Sequence, residues 1–313
     1  GERTDVMDLE GRTVIPGLID SHGHIVREGA VREILVDLSE EAGVTSIADL
    51  QTCLAARAAE TSKGEWVAGY QEDDSKLAEK RHPTRWDLDG ATEDHPVIIS
   101  TVGGHFSIAN SLAFEMEGVS KDTPDPVGGR FDRDPETGEV TGGLHETAIQ
   151  VVRPGGSVDP TREQSFSGAK SILDECASLG LTCVYDTVGR SEIRAVLDLK
   201  NRGALPIRVR MDVSVDHYNE LEATGIHGGL GGDWARICGL KFFFDGTISA
   251  RTAAVTEEYL NKPGFYGVFA TTREIATETI MGAYAEGYRI SAHANGDAAI
   301  AMYLDIMEEA QAR

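Results

Sequence analysis

The sequence predicts an α/β fold: an incomplete (β/α)8 barrel of the TIM type, carrying a mixed α+β insertion after its first strand. Three observations lead there. An apolar run, Val14-Ile15-Pro16-Gly17-Leu18-Ile19, leads into two histidines, His22 and His24. From Pro160 onward, strand-like and helix-like stretches alternate, the pattern of parallel β/α units. Between these regions the alternation breaks down. Counting the first strand, about five β/α units are present, whereas a closed barrel needs eight.

Three segments follow: 1–26, the end of a small N-terminal domain and the first barrel strand; 27–160, the insertion; and 161–313, barrel units two to five. Gly1 is not an initiator methionine, and the sequence stops after the fifth unit. The expectation is a fragment of a longer chain, truncated at both ends.

In chain order, 13–20 reads as a buried strand. Residues 47–61 are helix-like, with Ser46 near a cap position and alanines through the body. Residues 66–70 and the β-branched 97–102 read as short strands, 83–90 as turn and 107–117 as helix. Asp132 to Gly138 has the chemistry of a hairpin turn. Beyond Pro160, 161–179 is an amphipathic helix that Gly180 can cap, and 182–186 is a strand. Helix 192–202, strands 207–215 and 237–245, helix 272–286, strand 289–293 and helix 298–312 complete the series.

With 41% hydrophobic residues, the 313-residue chain can bury a large core. It carries 52 acidic against 29 basic side chains, a formal net charge of −23. No basic stripe exists to neutralise phosphates, so nucleic acid and anionic membrane surfaces are excluded as partners. Cys53, Cys176, Cys183 and Cys238 are widely spaced with no C-x-x-C pair, the pattern of reduced thiols in a cytoplasmic protein. No apolar run reaches membrane-span length. There is no G-x-S-x-G nucleophile elbow and no P-loop, and the cluster Gly228-Gly229-Leu230-Gly231-Gly232 lacks the last glycine of a dinucleotide fingerprint. The partner that remains is a small-molecule substrate, with a homodimer left open.

Side chains two apart on a strand share a face. His22 and His24 therefore leave the strand end side by side, close enough to share a metal ion. Imidazole suits zinc, iron, nickel or copper. A chance H-x-H is the competing reading.

The stretch Pro16-Gly17-Leu18-Ile19-Asp20-Ser21-His22-Gly23-His24 resembles the first barrel strand of the amidohydrolase superfamily, P-G-hydrophobic-x-D-x-H-x-H. Four further segments narrow the resemblance to amidohydrolase family 3, a group of metal-dependent hydrolases. They are Val102-Gly103-Gly104-His105-Phe106-Ser107-Ile108-Ala109-Asn110-Ser111, Leu240-Lys241-Phe242-Phe243-Phe244-Asp245-Gly246-Thr247, Ser249-Ala250-Arg251-Thr252-Ala253-Ala254 and Ser291-Ala292-His293-Ala294-Asn295-Gly296-Asp297. They stand in family order and span nearly the whole chain.

The resemblance implies hydrolysis of a non-peptide C–N bond, an amide or N-formyl group. One or two divalent ions, zinc above all, would activate water and polarise the carbonyl. It implies His22, His24, Lys241 and His293 as metal ligands and His105, Arg251 and Asp245 as substrate-facing. The family's catalytic aspartate on strand eight and its histidine on strand six would lie beyond Arg313, so no catalytic acid or base is assigned within the chain. A non-catalytic metal-binding fragment or degenerate homologue is the alternative from another class. An ester or cyclic-amide hydrolase is the alternative among enzymes.

Lys241 lies in the apolar run 240–244, where an unpaired ammonium is costly. Alternation puts it on one face with Phe243 and Asp245, so an ion pair with Asp245 is one reading. The other, which the resemblance favours, is a neutral amine that takes up carbon dioxide to give a carbamate, a carboxylated lysine bridging two metals. His293 closes the fifth strand, where a hydrogen bond to a loop carbonyl competes with ligation. For His105 the competing role is a helix cap. For Arg251 a salt bridge competes with anchoring a substrate carboxylate or carbonyl. His145 and Glu146 rank below His105, and His82, His95, His217 and His227 read as surface residues.

Overall fold

The computed structural model describes residues 4–104, 106–126, 129–152, 160–248, 251–260 and 262–312. Its strands, in chain order, begin with β1 (Leu18–Gly23), β2 (Val36–Asp37), β3 (Val67–Glu72), β4 (Val97–Thr101), β5 (Phe106–Ala109) and β6 (Gly129–Arg133). They continue with β7 (Val140–Glu146), β8 (Leu181–Val188), β9 (Arg208–Ser214), β10 (Ala235–Phe243) and β11 (Arg289–His293). The chain divides into two units, Gly1–Arg27 with Ala169–Arg313, and Glu28–Gly168.

In the first unit one sheet runs β1-β8-β9-β10-β11, and every pairing in it is parallel. Helices Arg190–Asn201, Arg273–Ala285 and Asp297–Gln311 follow β8, β10 and β11. In a flat sheet β1 and β10, three strand spacings apart, would lie about 14 Å from each other. Yet Lys241 Nζ on β10 stands 3.1 Å from His22 Nε2 on β1. The sheet therefore curls, bringing these strands toward each other across its concave side. This is an α/β fold with a curled parallel half-barrel sheet, consistent with an incomplete TIM-type barrel.

Alternation along the strands sorts the two faces. Val184, Val188, Val209, Met211, Val213, Leu240 and Phe242 are buried, as are Ala195, Val196, Leu199, Ile280 and Ile306 of the helices. Arg210 and Asp212 alternate with those apolar residues on β9. Gly239 shows why a polar layer is accommodated there. Its Cα is in register with Asp212 on one side and Arg289 on the other. A Cβ at Gly239 would fall 2.6 Å from Asp212 Oδ1 and 2.5 Å from the Arg289 carbonyl oxygen. With no Cβ in the way, Arg289 reaches across to the Asp212 carboxylate.

The expectation of a buried strand over 13–20 is corrected. β1 starts only at Leu18, and Val14, Ile15, Leu18 and Ile19 are each at least 50% exposed. Among the described residues β8 is the one strand hydrogen-bonded to β1, so the other side of β1 is left uncovered.

In the second unit the sheet runs β2-β3-β4-β5-β7-β6, parallel over β2-β3-β4 and antiparallel thereafter. Leu50, Leu54, Val67, Leu88, Val97, Ile99 and Ile108 form one of its cores, and Ala109, Phe114, Phe131, Val140 and Leu144 contribute to another. Helix Ile47–Glu60 begins where Ser46 accepts the Asp49 N–H at 3.2 Å. The helix expected over 107–117 is instead β5 followed by helix Ser111–Met116. Asn110 explains the break. Its Oδ1 accepts both Val97 N–H on β4 and Ala113 N–H, which fixes the helix start against the sheet. Among the described residues, no helix is long and apolar enough to cross a membrane.

Candidate metal centre

In parallel β/α units, chemistry collects at the C-terminal ends of the strands. His22 is the last residue but one of β1, and His24 follows the strand. Their rings lie 5.5 Å apart between centroids, nearly edge-on at 79°. The Asp20 carboxylate accepts the His22 backbone N–H at 3.1 Å, tying down the strand end. Lys241, 4% exposed, approaches His22 from β10.

His22 and His24 both keep an exposed side, but partial desolvation of the ring holds His22 below the usual histidine range, and the nearby Lys241 charge pushes the same way. His24 is lowered chiefly by burial and then by His22 and Lys241. Lys241 is lowered by burial, against the opposing pull of Asp212. All three groups are thus biased toward neutral nitrogens with free lone pairs, the forms that bind metal. Two imidazoles and an amine suit a divalent transition metal in donor type. Among the described residues, no three His, Cys, Asp or Glu side chains converge at metal-binding spacing.

The other expected residues are placed as follows. His293 closes β11, with Nε2 2.9 Å from the Gly246 carbonyl and 3.3 Å from Asn295 Nδ2. The loop-carbonyl hydrogen bond is therefore real, and it leaves Nδ1 as the ring's available donor. Asp245 forms no ion pair with Lys241 among the described residues, and its carboxylate is engaged by backbone donors. Oδ1 accepts Asn295 N–H at 2.9 Å, and Oδ2 accepts Ala254 N–H at 2.9 Å and Gly296 N–H at 2.7 Å. It braces two loops instead, because a buried carboxylate needs donors and these N–H groups are the nearest. Arg251 is exposed, in a left-handed conformation at φ 57, and forms no ion pair among the described residues. His105 lies outside the described residues.

Of the histidines read as surface residues, His95 is buried, while His82 keeps an exposed side and reaches inward to a buried acid. His95 is 5% exposed, with Nδ1 2.9 Å from the Glu65 carbonyl. His82 sets Nδ1 3.0 Å from Oε2 of the fully buried Glu72. Its ring meets Phe106 at a tilt of 52° with centroids 4.8 Å apart, and Phe106 in turn meets His145 at 4.5 Å, whose Nε2 lies 2.9 Å from Asp132. No short motif announces these pairs, since each acid lies ten or more residues from its histidine. Asp186 and Asp212, both buried on strands, belong to no motif in the sequence. The signal was available for Asp186: on Val184-Tyr185-Asp186-Thr187-Val188, period two puts an acid on the valine face.

A sequence profile described as amidohydrolase family matches residues 5–313. The protein LONG AFTER FAR-RED 3 of Arabidopsis thaliana is 29% identical over 100% of this chain and 54% of its own length. An N-substituted formamide deformylase of Arthrobacter pascens is 28% identical over 71% of this chain and 41% of its own. Among solved structures, an uncharacterized metal-dependent hydrolase from Pyrococcus horikoshii superposes with a TM-score of 0.71 at 29% identity. That match covers 94% of this chain and 56% of the other. The chain spans about half the length of the first of these relatives, 54%.

Proposed function

Because the chain belongs to the amidohydrolase family, we propose that the protein is a metal-dependent hydrolase of a non-peptide C–N bond, of amide or N-formyl type. The observation that carries this reading is the meeting of His22, His24 and Lys241 at the strand ends, with their basicity lowered. The formamide deformylase relative supports the C–N bond and the solved metal-dependent hydrolase supports the metal.

His22, His24 and Lys241 would hold a divalent ion, zinc by donor type, with His293 contributing Nδ1. Such an ion supplies Lewis acidity toward a carbonyl and toward water. Lys241 serves in either of two forms. As a neutral amine it donates a lone pair. With carbon dioxide it forms a carbamate, losing one proton and gaining an anionic oxygen donor. Arg251, exposed and without an ion pair among the described residues, is suited to a substrate carbonyl or carboxylate, and His105 is assigned the same side of the reaction by its motif.

The test is metal content per chain by elemental mass spectrometry, beside His22→Ala/His24→Ala, followed by N-formyl amines, amides, esters and cyclic amides as substrates. Zinc that disappears in the double variant, with turnover of formyl amines, is expected. Equal metal in both proteins would sink the assignment. Bound metal with no turnover of any substrate would favour the non-catalytic reading.

A further inference from the structure

Asp186 is fully buried at the end of β8, and nothing in the reading above uses it. Its surroundings are specific. In the parallel pairing of β1 with β8, Asp186 is the Cα partner of Gly23, the residue between the two histidines. Its side chain then turns to the residues just past them. Oδ1 accepts the Ile25 N–H at 2.6 Å, and Oδ2 accepts the Val26 N–H at 2.9 Å. These are the first two N–H groups of helix α1 (Ile25–Ile34), which have no partner within the helix.

One residue therefore holds the backbone on both sides of His24: at Gly23 through the sheet and at Ile25 and Val26 through its carboxylate. His24 spans the gap between two fixed points. Gly23 fits the same arrangement, since a Cβ there would meet Ile25 Cγ1 at 2.9 Å and approach Asp186 Oδ1 at 3.9 Å.

We propose that Asp186 is a positioning residue for the metal centre, clamping the turn that aims His24. The proposal rests on the metal-site reading above. Groups that fix the orientation of a ligand commonly contribute tenfold to a hundredfold in metal affinity. A burial cost accompanies the clamp: desolvation pushes the Asp186 carboxyl up to about 7, against the pull of the two N–H donors. An apolar residue here would continue the Val184 and Val188 face without that cost, but would leave the Ile25 and Val26 N–H groups without their acceptor.

The experiment compares wild type with Asp186→Asn at pH 8, where the carboxylate is ionised. Asparagine offers one oxygen in place of two and sets an N–H donor against one of the backbone donors. Zn2+ affinity is measured by competition with a chromophoric chelator, and stability by urea unfolding. The expected result is a tenfold to hundredfold weaker Zn2+ affinity with a urea midpoint no lower than wild type, because relief of the buried charge at pH 8 offsets the lost N–H acceptor. A lower midpoint with unchanged affinity would assign Asp186 a purely structural role and overturn the proposal. If wild type binds no Zn2+, the metal reading fails on its own, and the clamp is read by NMR. Faster amide exchange at Ile25 and Val26 with a shifted His24 ring would then support it, and unchanged spectra would overturn it. Should the Asn variant not fold, Asp186→Glu, with the charge kept but the acceptors displaced by a methylene, is expected to show the same loss of affinity.

Discussion

Lys241 Nζ stands 3.1 Å from His22 Nε2, an amine against an imidazole, joined from strands that are not neighbours in the sheet. Protonating both would set two cations in contact, one of them on the buried Lys241, so the pair favours at least one neutral partner.

Replacing Lys241 with methionine keeps the length of the stem and removes the nitrogen. The urea midpoint at pH 7 is expected to equal or exceed wild type, because an apolar side chain in place of a buried charge is neutral or stabilising. Zinc per chain should fall below about a tenth of wild type if the nitrogen or its carbamate is a ligand, given the usual worth of such a group. Elemental analysis beside urea unfolding decides it: full zinc retention removes Lys241 from the site.

Gly239→Ala should destabilise by about 1–3 kcal/mol, the usual cost of overpacking. The added carbon would meet the Arg289 carbonyl at 2.5 Å and the Asp212 carboxylate at 2.6 Å, and backbone cannot swing aside. Gly232→Ala is the control, with nothing within 4 Å of its Cβ. It should stay within about 0.5 kcal/mol of wild type. Equal effects of the two substitutions in urea unfolding would refute the reading of Gly239.

The Glu72 hydrogen bond and charge raise His82 above the usual histidine value, outweighing burial. A raised histidine stabilises the fold fully below its unfolded value, about 6.5, and that contribution is lost as pH climbs through the folded value. His82→Gln should therefore cost stability at pH 5.5 and little at pH 9. With its side chain 37% exposed, His82 contributes less than about 1 kcal/mol after screening. A wild-type advantage that grows toward pH 9 in urea titrations would contradict the pairing.

Removing the Asp245 carboxylate leaves three backbone N–H groups without their acceptor. Asp245→Ala should cost on the order of 3 kcal/mol, since each buried unpaired donor is expensive. Hydrogen exchange should quicken at Ala254, Asn295 and Gly296 together. Independent behaviour of the three amides would show that Asp245 is not their common anchor.

Local pattern made much of the barrel unit legible. The strand expected over 289–293 is β11 residue for residue, and helices expected at 272–286 and 298–312 lie at Arg273–Ala285 and Asp297–Gln311. Periodicity and capping fix such elements within the chain's own neighbourhood. The strand over 13–20 was misjudged because apolar composition reports capacity for burial, whereas burial depends on which strands lie alongside. The break at Asn110 was missed because a side chain that serves β4 and a helix start at once is a long-range fact. In the site, the H-x-H pair and Lys241 were visible as motif and as misplaced charge. Asp186 escaped because its partners, Ile25 and Val26, are 161 and 160 residues away and are backbone groups of no special type.

The Asp245 brace has an evolutionary consequence. The loop after β10 and the loop after β11 share one carboxylate, and the backbone of Gly296 passes so close to Ala254 that a Cβ there would fall 1.7 Å from its carbonyl oxygen. An insertion or deletion in either loop would displace the other through the shared carboxylate and the Gly296–Ala254 approach. Side-chain replacement within those loops, which leaves Asp245 and its three donors in place, is the change this coupling tolerates best.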